Sequence, residues 1–245
     1  MLKRTTIFII ALIIVVGLSG QSSPERIHSI FYLKANNGDK NQLEKGIAEH
    51  IKKFHSDGEW PEYVHEVIAG ERTGQYFYFS AAHQWVDFDN RVRSQSDVQH
   101  WEANIVPYVD ENSSSLQISF VRYIPALSLP YDPNNYKMFR VVYNYVEPGK
   151  ELDFEFFVKK NVEAHKKLKD GHKHHFFKPV VGGKLPVYVG IHPMKNFEDM
   201  NEPRGVFRKV YDEEEVKGLY KKFHNSVEKR ISELWKSRPD LSSPN

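Results

Sequence analysis

The chain has 245 residues, of which 40% are hydrophobic, 27% are charged and 13% are aromatic, and it contains no cysteine. This composition excludes a disulfide-stabilised miniprotein, a cysteine-ligated zinc module, a cysteine nucleophile and an intrinsically disordered chain. The formal net charge is only +2, so an ordinary globular protein is expected.

The first 20 residues have the pattern of a secretory signal peptide. Lys3 and Arg4 precede an uninterrupted apolar run from Ile7 to Val16, and small residues follow up to Gly20. A membrane-spanning helix needs about 20 apolar residues, and no cysteine follows the run for lipidation. We therefore expect residues 1–20 to be cleaved and the mature protein to be exported, periplasmic or extracellular, without a stable membrane anchor. A retained anchor is the alternative.

Removal of the signal leaves 32 basic and 32 acidic residues. Residues 21–126 hold 10 basic and 15 acidic side chains, whereas residues 127–245 hold 22 and 17. A nucleic-acid-binding protein is expected to carry a basic footprint, and none is present, so nucleic acid is not expected as a partner. The opposite signs of the two halves favour their packing against each other.

An internal repeat is visible in the order of predicted elements. Alternating strands Ile27 to Lys34 and Met138 to Val146 open the two halves, and each is followed by a turn and an amphipathic helix. In the first helix Asp39 is the expected cap, and in the second half Asp212 with Glu215 predicts a capping box.

One β-hairpin is predicted after the first helix of each half. The two hairpins cover residues 63–81 and 176–191. Another helix is predicted after each hairpin. In the first half it covers residues 95–109, and Pro107 is expected to kink or end it; in the second half it is a long helix from Val216 that includes Ile231 and Leu234. A strand from Leu116 to Ile124 closes the first half. The second half is expected to close with a shorter strand near residues 238–242, because the Pro-Ala-Leu-Ser and Pro-Asp-Leu-Ser sequences after positions 124 and 238 align.

Each half thus has the order β-α-β-β-α-β of a ferredoxin-like unit. We predict an α+β protein with a first repeat at 26–128, a linker at 129–136 and a second repeat at 137–242. A single irregular domain with chance similarity is the alternative. The arrangement resembles the dimeric α/β-barrel superfamily in its fused tandem form, and within it the NIPSNAP-like and antibiotic-biosynthesis-monooxygenase-like exported bacterial proteins.

This resemblance implies an intramolecular barrel with ligand clefts between the sheet and its helices. In that superfamily the chemistry ranges from cofactor-free oxygenation to haem degradation, and some members only bind. We therefore expect binding of a small apolar or aromatic molecule. A cofactor-free or haem-dependent monooxygenase and a non-catalytic protein-interaction module are the alternatives, and whether the protein is an enzyme stays open.

Five residues are candidate ligand-binding groups. His50 and His165 lie near the ends of the first helices of the two halves, where a histidine could act as a base or ligate haem, or satisfy a local hydrogen bond. Arg122 lies on an otherwise apolar strand face, although an exposed strand end is the simpler explanation. Tyr78 and Tyr143 could line an apolar cavity or fill the core.

A histidine cluster at positions 172, 174 and 175 could bind a divalent metal ion if a carboxylate joined it, and no nearby residue completes such a set. Alternation along a strand sends His174 and His175 to opposite faces, so no metal site is predicted and a solvated basic rim is expected. The hydrolase, zincin, phosphate-binding and dinucleotide-binding motifs are absent from the sequence.

Overall fold

The computed structural model of the protein describes residues 25–58, 60–113, 117–201 and 205–244. The predicted signal peptide lies outside these ranges. Among the described residues, no helix is long and apolar enough to cross a membrane.

Eight strands and five α-helices form the framework of the described residues. The strands are β1 Ile27–Lys34, β2 Glu62–Ala69, β3 Gln75–His83, β4 Ser119–Tyr123, β5 Met138–Val146, β6 His175–Val181, β7 Val187–Met194 and β8 Val227–Ser237. The helices are α1 Lys40–Phe54, α2 Trp85–Asn90, α3 Gln95–Asn104, α4 Glu151–Leu168 and α5 Glu213–Ser226. The predicted bounds of β1 and β5 are confirmed.

The strands close into one barrel in the order β1-β3-β2-β8-β5-β7-β6-β4. All neighbouring pairs are antiparallel. The first four strands of the chain are contiguous around the barrel, as are the last four, and the halves join along two seams, β2 with β8 and β4 with β6. This closed antiparallel barrel with outer helices agrees with the predicted dimeric α/β-barrel architecture.

Alternation along the strands separates an inner from an outer core. The inner core combines both halves and includes Tyr32, Val67, Phe139, Tyr143 and Trp235. On the outside, α1 packs on the first half through its buried stripe, and α4 packs on the second half in the same way. These stripes consist of Leu43, Ile47, His50 and Ile51 in α1, and Phe154, Val158 and Val162 in α4.

The prediction for the end of the chain is wrong. The helix expected to continue through Ile231 and Leu234 ends at Ser226, and β8 starts at Val227. With 11 residues β8 is the longest of the described strands rather than a short one. It pairs with β2 on one edge and β5 on the other, and this two-sided backbone pairing outweighs the helical period of its side chains.

Two other predicted features differ in detail. Asp39 occupies the N-cap position of α1, but its side chain makes no capping hydrogen bond. The next helix, α3, stops before Pro107, which lies in a 3₁₀ turn at Val106–Tyr108. By contrast, the Asp212 side chain caps α5 by accepting a hydrogen bond of 2.8 Å from the backbone N–H of Glu215, which is one of the two hydrogen bonds of the predicted capping box. The predicted strand start at Leu116 lies outside the described residues.

The aligned Pro-Ala-Leu-Ser and Pro-Asp-Leu-Ser sequences form equivalent 3₁₀ turns rather than strands. In the first turn the Ser128 hydroxyl accepts from the N–H of Phe176 at 2.9 Å. In the second, the Ser242 hydroxyl accepts from the N–H of Val64 at the same distance. Each serine thus fastens the end of one half to a hairpin strand of the other half, Ser128 to β6 and Ser242 to β2.

Candidate functional site

A cavity of about 230 Å³ lies between the outer face of the first-half sheet and helices α1 and α3. The sheet contributes Glu62 at the start of β2 and Tyr78 on β3, and α1 contributes His50, which its buried stripe turns towards the sheet. The remaining wall is aromatic on one side and cationic on the other. These residues include Phe31, Trp101, Arg91 and Arg93. A wider depression of about 650 Å³ lies beside it and shares both arginines.

Glu62 is the centre of a buried polar network. The Tyr78 hydroxyl donates to its Oε2, and Nη2 of Arg91 donates to its Oε1 at 3.2 Å. Burial, followed by the charge of Glu62, raises the pKa of Tyr78 well above its usual value. The phenol therefore stays protonated as a hydrogen-bond donor, while Arg91 compensates the negative charge of the carboxylate.

His50 lies between two other titratable groups. Its Nε2 is 3.4 Å from Oδ1 of Asp97, and its Nδ1 is 3.3 Å from Nδ1 of His100. Arg93 holds Asp97 through two hydrogen bonds of 2.9 and 3.0 Å. Burial and the neighbouring His55 lower the pKa of His50 to about 3, so its imidazole is neutral at pH 7.

Two groups of side chains in the described residues have the spacing of metal ligands. His50, His55 and Glu62 each offer one ligand atom, all within 4.8 Å of one another. Nδ1 of His55 donates to the carbonyl of Trp60 at 3.0 Å, which leaves its Nε2 without a hydrogen bond 3.5 Å from Glu62. The second group is formed by His172, His174 and His192 in the other half.

The corresponding space in the second half is filled by aromatic rings. Ring centroids of Phe154 and Tyr188 are 4.7 Å apart, and Phe157 lies 4.4 Å from Phe223. These rings occupy the region between α4, α5 and the sheet together with Phe176. The two halves therefore share an architecture without sharing a cavity of the same form.

Matched contacts fix how the halves align. Tyr76 donates to Glu44 on α1, and Tyr188 donates to Glu155 on α4. Because the two glutamates lie 111 positions apart in the chain, the residue equivalent to His50 is Asn161. The sequence expectation that His50 and His165 occupy matching positions is therefore wrong.

The five sequence candidates separate into four places. His50 and Tyr78 both line the first-half cavity. Tyr143 lies inside the barrel, where its hydroxyl is 2.8 Å from that of Tyr32. His165, at the end of α4, contacts Asp170 at 2.8 Å and stacks on His172. Arg122 is an exposed strand residue, in agreement with the simpler explanation, and it forms an ion pair with Glu25.

Sequence reasoning missed most of the polar groups around the cavity. Glu62 precedes the predicted strand by one residue, and an acid at the start of a half-buried strand is a weak signal. Arg91 and Arg93 lie in the short segment between α2 and α3. This segment has no regular periodicity from which the orientation of its side chains could be predicted. Their convergence depends on tertiary packing.

Haem ligation by His50 or His165 does not fit the residues present. Both ring nitrogens of His50 already lie within 3.4 Å of Asp97 and His100. The ring of His165 is stacked on that of His172, and its Nδ1 lies 2.8 Å from Oδ2 of Asp170. We therefore assign no step to haem.

No family model matches the sequence, and no curated protein matches it. Solved structures do share the fold. A "putative monooxygenase" from Lactobacillus acidophilus is 10% identical with a TM-score of 0.55, covering 89% of this chain and 96% of its own. An anthrone oxidase-like protein is 11% identical with a TM-score of 0.56, covering 88% and 92%. A chlorite dismutase mutant from Candidatus Nitrospira defluvii is 7% identical with a TM-score of 0.52, covering 88% and 92%. The closed eight-stranded barrel of this chain therefore has the dimeric α/β-barrel fold.

Proposed function

We propose that the first-half cavity binds a small aromatic molecule that carries an acidic hydroxyl group. The observation that carries this proposal is the placement of the Tyr78–Glu62 pair in a cavity that the aromatic side chains of Phe31 and Trp101 also line. Phe31 stacks on Tyr78 with centroids 4.6 Å apart, and Trp101 meets both rings edge-on at 5.8 to 5.9 Å. Such walls favour a flat ring.

The polar wall supplies the chemistry. A carboxylate with several acceptor positions can accept the proton of a bound hydroxyl group. Arg91 and Arg93 both line the cavity, and their guanidinium groups would stabilise the resulting aromatic anion because opposite charges interact strongly where water is limited. In this proposal Glu62 is the base, Tyr78 orients it, and the arginines bind the anion.

The same arrangement supports cofactor-free monooxygenation as a second candidate function. A base that removes a proton from an activated ring CH₂ leaves a carbanion, which can attack O₂. The adduct then loses water, so that CH₂ and O₂ become C=O and H₂O. A base in a largely buried cavity favours this route, and two proteins that share the fold carry oxygenase or oxidase names. A pure interaction module has no need of these groups.

We further infer that each half is a ferredoxin-like repeat. The strand order β4-β1-β3-β2 of the first half is repeated as β8-β5-β7-β6 in the second, and the matched tyrosine–glutamate and serine contacts support the same alignment. Export of the mature protein remains part of the proposal. Similarity to NIPSNAP-like proteins stays a prediction.

Fluorescence titration with 7-hydroxycoumarin tests the cavity, because excitation distinguishes its neutral and anionic forms. We expect the wild-type protein to bind it about tenfold more tightly than coumarin, which lacks the hydroxyl, and to enrich the anion. Glu62→Gln should abolish the preference, whereas Glu66→Gln on the same strand should retain it. Ser29→Leu, which fills the cavity, should weaken both ligands. Equal isotherms for the two probes, or no effect of Glu62→Gln in a folded protein, would contradict the proposal.

A further inference from the structure

Three histidines converge in the second half, away from the cavity described above. His172 lies in the segment before β6, His174 immediately precedes that strand, and His192 lies on the neighbouring strand β7. One ring nitrogen of each lies within 4.8 Å of the others. The third member is therefore His192, which lies 18 positions after His174 in the chain, and not the carboxylate that the sequence analysis required.

The hydrogen bonding of His174 fixes its tautomer. Its Nε2 lies 3.0 Å from the carbonyl oxygen of Leu127, and a carbonyl only accepts, so the proton is on Nε2. The lone pair is then on Nδ1, which is buried and has no hydrogen-bond partner among the described residues. Metal-ligating histidines typically donate their other ring N–H to a backbone carbonyl in this way.

His192 adds a second buried nitrogen without a partner. Its Nδ1 makes no hydrogen bond in the described part of the chain, and its ring lies 5.5 Å from that of His174 and 5.7 Å from that of His172. An unpaired buried polar atom is costly, so two of them on neighbouring rings with the spacing of metal ligands indicate a ligand that would satisfy both.

The third imidazole, that of His172, is positioned by His165 and Asp170. The His172 ring stacks on that of His165 with centroids 4.0 Å apart, and Nδ1 of His165 lies 2.8 Å from Oδ2 of Asp170. The Asp170 carboxylate also accepts from the backbone N–H of His172 at 3.1 Å. One aspartate thus positions both rings at the end of α4.

Two arginines near the histidine group favour an anion as a further ligand. Arg140 and Arg230 lie close enough to act electrostatically on His192. They would oppose a bare dication, but an anion in the remaining coordination position offsets this repulsion. Nε of Arg140 is itself buried without a partner in the described residues, so it is available to donate to such an anion.

We propose that His172, His174 and His192 form a site for one divalent transition-metal ion, with the fourth position open to water or a small anion. Imidazole ligands favour Zn²⁺, Cu²⁺, Ni²⁺ or Co²⁺ over Mg²⁺ and Ca²⁺. Zinc–nitrogen bonds are about 2.0–2.1 Å, so the rings need to move inwards slightly from their present spacing. Three histidines with one open position are the ligand set of a catalytic rather than a structural zinc site.

Titration of chelator-treated, untagged protein with Co²⁺ tests the site, because tetrahedral Co²⁺ has a characteristic visible absorption band. We expect saturation of this band with one ion. His192→Ala and His174→Gln should weaken Co²⁺ binding at least about tenfold, the second variant retaining a donor for the Leu127 carbonyl. Zn²⁺ should displace Co²⁺ and abolish the band.

Two controls separate the site from other histidines. His224→Ala removes an exposed imidazole, and His55→Ala removes one member of the first-half group; neither should change the band. Absence of the band in the wild-type protein would overturn the proposal. So would an unchanged Co²⁺ isotherm in His192→Ala and His174→Gln proteins that melt as the wild type does.

Discussion

The hydroxyl groups of Tyr32 and Tyr143 lie 2.8 Å apart inside the barrel, one from the first strand of each half. The Arg72 guanidinium lies over both rings, 4.2 and 4.6 Å from their centroids. Glu233 accepts two hydrogen bonds of 2.9 Å from Arg72 and one of 3.0 Å from the indole N–H of Trp235. A charged pair and two phenols therefore join the halves inside the barrel, close to the turn between β2 and β3.

This pair predicts a large effect of a single substitution. Glu233→Gln should lower the free energy of unfolding by about 3 kcal/mol, the lower end of the range for buried pairs, because it leaves the Arg72 charge without a counter-ion. Urea unfolding measures the change. Glu228→Gln, which removes the partner of exposed Lys184, should cost less than about 1 kcal/mol. Similar values for the two variants would show that the buried pair has no special role.

The buried histidines predict a loss of stability in mild acid. Burial lowers the pKa of His28, His65 and His175 from 6.5 to about 4. Between pH 6.5 and about 4 the unfolded chain binds protons that the folded chain does not, so their contribution is complete above pH 6.5 and is lost as the pH falls. Urea unfolding at pH 7.5 and pH 5 should show this decrease.

His65 offers a direct check of that mechanism. Its Nδ1 is buried without a partner among the described residues, and its ring lies against those of Phe79 and Phe139. His65→Phe should therefore reduce the pH dependence and raise stability at pH 5. The exposed His224→Gln is the control. An unchanged slope in His65→Phe would remove this residue from the explanation.

The two seams predict that neither half folds well alone. Residues 26–130 expressed separately would expose the free edges of β2 and β4, and residues 131–245 those of β8 and β6, so each fragment should be poorly soluble. Co-expression should yield a soluble one-to-one complex, measurable by size-exclusion chromatography. Two soluble monomeric fragments without mutual affinity would contradict the proposed pairing of repeats.

Export predicts a defined N-terminus. The apolar run at residues 7–16 is too short to span a bilayer, so the mature chain should begin near Gln21. N-terminal sequencing of protein from the extracytoplasmic fraction measures this directly. Recovery of a membrane-bound species that begins at Met1 would be the opposite result.

Secondary structure was predictable from the sequence where the local side-chain pattern and the tertiary contacts favour the same element. The strands Ile27–Lys34 and Met138–Val146 alternate clearly and were predicted with their observed bounds. The prediction for β8 was wrong because Val227, Ile231 and Leu234 also fit a helical period. Only pairing with strands on both edges decides between helix and strand for this segment. The cavity was predicted in part: His50 and Tyr78 were identified, whereas Glu62 and its partners required the folded arrangement.

The position of β8 also constrains how the protein can be made. Its partners are β2 and β5, so a nascent chain that has emerged only as far as α5 still has two unpaired strand edges. Contacts between residues so distant in sequence form slowly because a long loop must close first. During synthesis the barrel therefore remains open until β8 is available. Cellular factors that shield strand edges would act during this interval, and truncations within β8 should be cleared by proteases.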